Sequence, residues 1–392
     1  MNERYDVVVL GLGAMGSATA AHVAARGGRV LGMERFGPAH ALGSSHGKTR
    51  VIRQAYYEAP AYVPLLLRAY ELWDDLERRS GEQLLLRTGG LMVGAPDSEV
   101  VLGSARSARE HDLAHELLDA TDIRRRFPAL RPRDGECGVY EPNAGALYPE
   151  RCVLAHLQWA AAAGAELRFG MPVVSWAATA DGVQIETKDG TVCEAQTLVV
   201  CAGAWLGRFC TSFAASVRAE RNVMHWFRPR ANAESFAVGR LPIYLIERAG
   251  EPVLYGFPDI SGDGVKVAPH YTGDYTDPDE LRRDVAPDEV AAMRERMMGW
   301  IPDAAGEHIA SVVCMYTNSP DLHFVIGRHP EHANVVVAGG FSGHGFKFSS
   351  VIGEILADLA MLQETRHPID LFAPARLIGQ SATELAAEAT RK

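Results

Sequence analysis

Apolar positions run unbroken from Val7 to Leu10, the pattern of a strand buried on both faces, and then give way to glycines. An alanine-rich stretch and a second apolar run follow, so that residues 5–36 read YDVVVLGLGAMGSATAAHVAARGGRVLGMERF. The order predicts strand, tight turn, helix, strand. After Pro38 a Gly/Ser-rich loop leads into an amphipathic helix that carries Leu66, Tyr70 and Trp73 on one side. Near the other end the pattern recurs: a strand VVVAGG, a loop FSGHGFKF, and an apolar helix starting near Ser349. The run Ala160 to Ala163 is ordinary helix interior. No internal repeat shows, and the terminal SATELAAEATRK is expected to be dispensable.

The length of 392 residues predicts two lobes with a cleft between them. A net charge of −10 argues against a nucleic-acid partner, because phosphate binding needs a basic surface. No apolar run reaches the roughly 18 residues of a membrane span, and Glu3 and Asp6 interrupt the basic start of a signal peptide. A cytoplasmic protein is expected. Six scattered cysteines fit reduced thiols, and five of them read as small core residues.

The amino-terminal segment adds chemistry to this pattern. In the GxGxxG turn, Gly11 permits the tight bend, Gly13 admits a pyrophosphate to the backbone, and Gly16 lets helix and strand pack closely. Ala14 and Met15 open the helix toward the phosphates, and Glu34, followed by Arg35, stands where a carboxylate meets ribose hydroxyls. The motif leaves NAD and FAD open. The next loop concentrates Ser44, Ser45, His46, Lys48, Thr49, Arg50 and Arg53. Lys48 alone reads as a solvated charge. In the last third, Gly343 and Gly345 let backbone approach a flat ligand, and the helix near Ser349 aims its dipole there. Lys347, between Phe346 and Phe348, is an odd place for an ammonium unless it meets an anion. His111 and His115 have the spacing of a helical metal pair without a third ligand, and His329 and His332 read as a polar turn. No metal is expected.

These residues carry a resemblance to the monomeric sarcosine oxidase and N-methyltryptophan oxidase family over nearly the whole chain. The matching segments include VVLGLGAMGSA, GSSHGKTRVIRQAY, EPNAGALYPE, VVCAGAW, YGFPDISGDGVKVAPH, VCMYTNSPDLHFVIGRHPEH and AGGFSGHGFKFSSVIGEIL. The resemblance implies an α/β fold with a Rossmann-like FAD lobe of the glutathione-reductase type and a mixed-sheet substrate lobe. It implies FAD bonded to Cys314, in CMYT, with Met315, Ala202, Gly203, Trp205, Ser44 and Phe346 beside the cofactor. Arg53 and Lys347 match the pair that holds the substrate carboxylate, Tyr255 and Tyr316 match aromatic walls, and His270 matches a histidine beside the amine. Lys266 matches a lysine that meets the flavin through water, and is the candidate for oxygen activation. His46, Thr49 and Arg50 match positions packed near the ring.

The implied reaction is oxidation of a small N-methyl amino acid with molecular oxygen by a monomer. Oxidation of cyclic or primary amino acids, or electron transfer to another acceptor, stays open. Two departures bear on this. Ser45 precedes His46 where the family commonly has two histidines, and the segment from Val223 to Gly250, which shapes the side-chain pocket in the family, matches poorly. The expected division is 1–90, 140–220 and 312–392 for the FAD lobe, with 91–139 and 221–311 for the substrate lobe.

Overall fold

The computed structural model describes residues 4–378; the terminal SATELAAEATRK lies outside them. The first apolar run forms β1 (Arg4–Leu10), the alanine-rich stretch α1 (Ala14–Ala25), and the second run β2 (Val30–Met33). β1 lies between β2 and the strand Val192–Val200, parallel to both, with Leu10 level with Met33 and Val200. Glu166–Arg168 extends the parallel set beside β2, and His332–Gly339 extends it beside Val192–Val200. Antiparallel strands complete an eight-stranded sheet. The helices Pro149–Ala162 and Ser349–Leu362 pack against α1. Parallel strands ending together leave a crevice beyond their carboxyl ends, where such sheets bind ligands.

Close packing at the first turn depends on Gly16. A Cβ there would lie 1.8 Å from the Gly11 carbonyl oxygen. Gly16→Ala is therefore expected to cost roughly 2 kcal/mol or more of stability, as overpacking does, and to weaken dinucleotide binding. Urea unfolding of the two proteins measures it.

A second eight-stranded sheet covers the crevice. It runs from His308–Asn318 through Arg218–Phe227, Val265–His270, Val253–Phe257, Ile243–Ile246, Gly90–Gly94 and Cys137–Glu141 to Glu116–Asp119, and it is mixed because Ile243–Ile246 and Gly90–Gly94 pair in parallel. Residues 312–318, expected in the FAD lobe, are instead a strand of this sheet, since their backbone pairs with Arg218–Phe227. Cys314 thus reaches the crevice from the covering lobe. A small sheet of Arg50–Ile52, Gly145–Leu147 and Leu85–Arg87 fixes the loop that carries the basic residues. The amphipathic helix is Val63–Ser80, with Leu66, Tyr70 and Trp73 all buried, and Trp73 Nε1 donates to the Lys347 carbonyl at 2.9 Å. Among the described residues, no helix is long and apolar enough to cross a membrane.

Candidate active site

A cavity of about 500 Å³ runs through the crevice. Gly11, Gly13, Ala14, Met15, Glu34, Arg35, Ser44, Arg50, Ala202, Gly203, Trp205, Cys314, Met315, Gly343, Gly345 and Phe346 all line it. Gly16 does not; its task is the packing described above. At the turn, a Cβ on Gly13 would have no neighbour nearer than Ser45 Oγ at 3.6 Å, so the backbone faces open space where a pyrophosphate fits. Ser45 Oγ accepts from the Ala14 amide at 3.2 Å, so the loop residue that departs from the family pattern supplies a hydrogen bond to the start of α1. Glu34 accepts from the Leu12 and Phe36 amides at 2.8 and 2.9 Å. Burial works to raise the Glu34 carboxyl, but His40 and these amides outweigh it and hold the group ionised. One amide on each oxygen leaves lone pairs for ribose hydroxyls. The walls at the far end come from Met171 to Val174 and Lys188, which no motif announces. Cys201 also lines the cavity, so it is not one of the plain core thiols; burial pushes its pKa up to about 12, leaving it a protonated, unreactive wall.

At its inner end the cavity meets a small chamber of about 60 Å³, and Arg50, Cys314, Tyr316, Gly343 and Phe346 line both. Gly343 has φ +74°, and a Cβ there would strike the Tyr316 ring at 2.4 Å, so only glycine closes this junction. Cys314 is 4% exposed, with Sγ 3.3 Å from Arg50 Nη2, which donates to it.

Arg53, Lys347, Tyr255, Tyr316 and His270, predicted from separate parts of the chain, all line the chamber. Arg53 is fully buried, its Nη2 2.7 Å from both Glu58 oxygens and its guanidinium stacked over Tyr56 and Tyr57. Glu58 was not foreseen, although it lies only five residues on; a substrate carboxylate at Arg53 has to compete with it. Lys347 Nζ donates to the His344 carbonyl at 2.6 Å and is 3.4 Å from Tyr56 Oη. Burial, and then the Arg53 charge, lower its pKa to about 7. His270 pairs with Tyr316 Oη through Nδ1 at 3.2 Å, and burial, with His344 next, lowers it to about 3, so it is neutral at physiological pH.

The Lys347 value gives a pH dependence. An anionic ligand needs the ammonium, which is present below about 7 and lost above it. Affinity for methoxyacetate, a carboxylate that does not titrate in this range, is expected to fall as pH rises through that point, approaching tenfold per unit. Spectral titration of the oxidised enzyme across pH reads this directly.

Besides Gly16, three predicted site residues, Lys266, Thr49 and His46, stand apart from both cavities. Lys266 donates to the Gly47 and Thr49 carbonyls at 2.7 and 2.8 Å and to Thr49 Oγ1 at 3.1 Å. With Thr49 it lines a separate cavity of about 300 Å³ on the far side of the loop. Burial and the Arg50 charge depress its pKa. His46 is buried, with Nε2 lacking a partner among the described residues and the pKa lowered to about 3 by burial and then Arg50, and it lines none of these cavities. Lys48 is exposed and pairs with Asp263 at 2.6 Å, as a solvated charge should.

The helix before His111 ends at Glu110, so His111 and His115 are not a helical pair. His329, Glu331 and His332 do come together, but at a hairpin turn, and His329 Nδ1 accepts from the Glu331 amide. That bond puts the ring proton on Nε2, the nitrogen a metal would need bare.

A βα turn shaped for pyrophosphate, an elongated crevice and a cationic chamber at its inner end define a two-lobed dinucleotide-dependent oxidoreductase. The chain belongs to the FAD dependent oxidoreductase family, whose model matches residues 6–359. The dinucleotide is therefore FAD. The chain is 50% identical to the monomeric sarcosine oxidase of Streptomyces avermitilis, over 97% of this chain and 100% of that one. It is 35% identical to the N-methyl-L-tryptophan oxidase of Escherichia coli, over 95% and 99%. Among solved structures it superposes on NikD, an unusual amino acid oxidase essential for nikkomycin biosynthesis, with a TM-score of 0.83 and 28% identity, over 95% and 98% of the two chains. The glycine oxidase of Geobacillus kaustophilus shares the fold, with a TM-score of 0.80 at 22% identity over 97% and 100% of the chains.

Proposed function

We propose that this enzyme oxidises sarcosine and similarly short N-methyl amino acids, with FAD bonded to Cys314. The observation that carries the reading is the convergence of Arg53 and Lys347 on a chamber that opens into the dinucleotide cavity beside Cys314. Sarcosine, oxygen and water then give glycine, formaldehyde and hydrogen peroxide. FAD, when bound, would accept a hydride equivalent, two electrons and one proton, from the carbon next to nitrogen.

The protein's own groups bind and orient. Arg53 and Lys347 hold the carboxylate, which fixes the N-methyl group toward the junction of the two cavities. The same charges disfavour an ammonium nearby, so they help the amine to lie unprotonated. Tyr255, His270 and Tyr316 wall the chamber, and the neutral imidazole adds no further positive charge. Lys266 is assigned to the oxygen half of the reaction from the separate cavity beneath the loop that carries Arg50, by its position there and not by a free N–H, since Gly47 and Thr49 take its three donors.

Size favours sarcosine over N-methyltryptophan. The poorly matching segment supplies Met224 and Leu245 to the chamber wall, and about 60 Å³ leaves little room for an indole. A coupled assay over sarcosine, N-methyltryptophan, proline and glycine tests the assignment. Equal molar yields of formaldehyde and peroxide from sarcosine are expected. Peroxide from proline alone, or none with any of the four, contradicts it.

A further inference from the structure

A neutral secondary amine carries one N–H and one lone pair. If the lone pair is to stay free for oxidation, the N–H needs an acceptor on the protein. Arg50, Arg53 and Lys347 have none to offer, and both Glu58 oxygens face Arg53 Nη2. Asn222 differs. It is 1% exposed, it lines the chamber, and it sits opposite Cys314 in the strand pairing. Its Nδ2 donates to the Pro269 carbonyl at 2.8 Å, which fixes which end of the amide is oxygen. Its Oδ1 is buried and, among the described residues, has no hydrogen-bond partner. A buried acceptor left unmet is costly, and a ligand donor at this position would meet it.

We propose that Asn222 is a substrate-contact residue whose Oδ1 accepts the N–H of the bound secondary amine. This rests on the amine-oxidase reading above and deepens it: the site selects ligands that pair a carboxylate with an N–H donor. Asn222 also holds that N–H away from the reacting carbon, which leaves the lone pair unobstructed.

Two ligands separate this role from a structural one. Sarcosine has the N–H; methoxyacetate has the same carboxylate and chain but an ether oxygen in its place. In Asn222→Leu, the sarcosine dissociation constant from anaerobic flavin reduction is expected to rise roughly tenfold. Methoxyacetate, followed by its perturbation of the oxidised flavin spectrum, is expected to bind as well as before or better, since an acceptor facing its ether oxygen has been removed. Equal weakening of both ligands, or no change in either, overturns the proposal.

Asn222→Asp gives a second test that does not depend on the leucine variant folding. A carboxylate beside the bound amine favours the ammonium, so the pH limb of the reduction rate is expected to move to higher pH. An unmoved limb overturns the contact. If the parent enzyme itself is not reduced by sarcosine, the functional reading falls; if it is reduced and the variants behave as the parent does, only the Asn222 assignment falls.

Discussion

Replacing Cys314 by serine is expected to give a yellow protein that surrenders all of its flavin to the supernatant on acid precipitation, where the parent keeps its colour in the pellet. The expectation follows from position. Cys314 Sγ stands where the long cavity meets the chamber, and Arg50 Nη2 donates to it at 3.3 Å, which holds the sulfur at that junction. The Gly11 to Met15 turn and Glu34 grip the other end of the cavity without help from the sulfur, so binding itself is expected to survive. Turnover should fall, because a covalent link makes the bound flavin a stronger oxidant. Colour remaining in the acid pellet of the serine variant would place the tether elsewhere.

Lys347→Met should lower kcat/KM for sarcosine by about 10² to 10³, from a loss of about 3–4 kcal/mol when one partner of a buried charged pair is removed. Its stability should not fall. The Lys347 ammonium is 4% exposed, its hydrogen-bond partners among the described residues are the His344 carbonyl and the Tyr56 hydroxyl, and burial already drives its pKa to about 7. Methionine fills similar space without that cost. The variant should therefore melt at or above the parent's temperature while binding substrate poorly, and a parallel fall in both would point to a damaged fold instead.

What the sequence disclosed followed the range of its interactions. The βαβ unit was legible because its strand, glycines, helix and Glu34 are consecutive, and each constrains the next. Trp73 was legible as a buried helix position, but its bond to the Lys347 carbonyl was not, because 274 residues separate them. Cys314 was found through likeness to a family, since composition alone leaves it an inert thiol; Lys347 stood out between Phe346 and Phe348, and the likeness supplied its role.

The misses have physical causes. Asn222 reaches the chamber through strand register with Cys314, and register is set by the whole sheet. Glu58 sits beside Arg53 only because the chain turns after Ala55, whose amide, with that of Gln54, is held by the buried Glu141 carboxylate. Residues 312–318 precede the glycine loop in sequence, yet the hydrogen bonds of their strand run to the covering sheet.

The most direct measurement is anaerobic mixing of the purified yellow protein with sarcosine. The account predicts that one equivalent of sarcosine bleaches the visible flavin band, and that admitting oxygen then restores it with one peroxide per flavin. A band that stays oxidised at saturating sarcosine would contradict it.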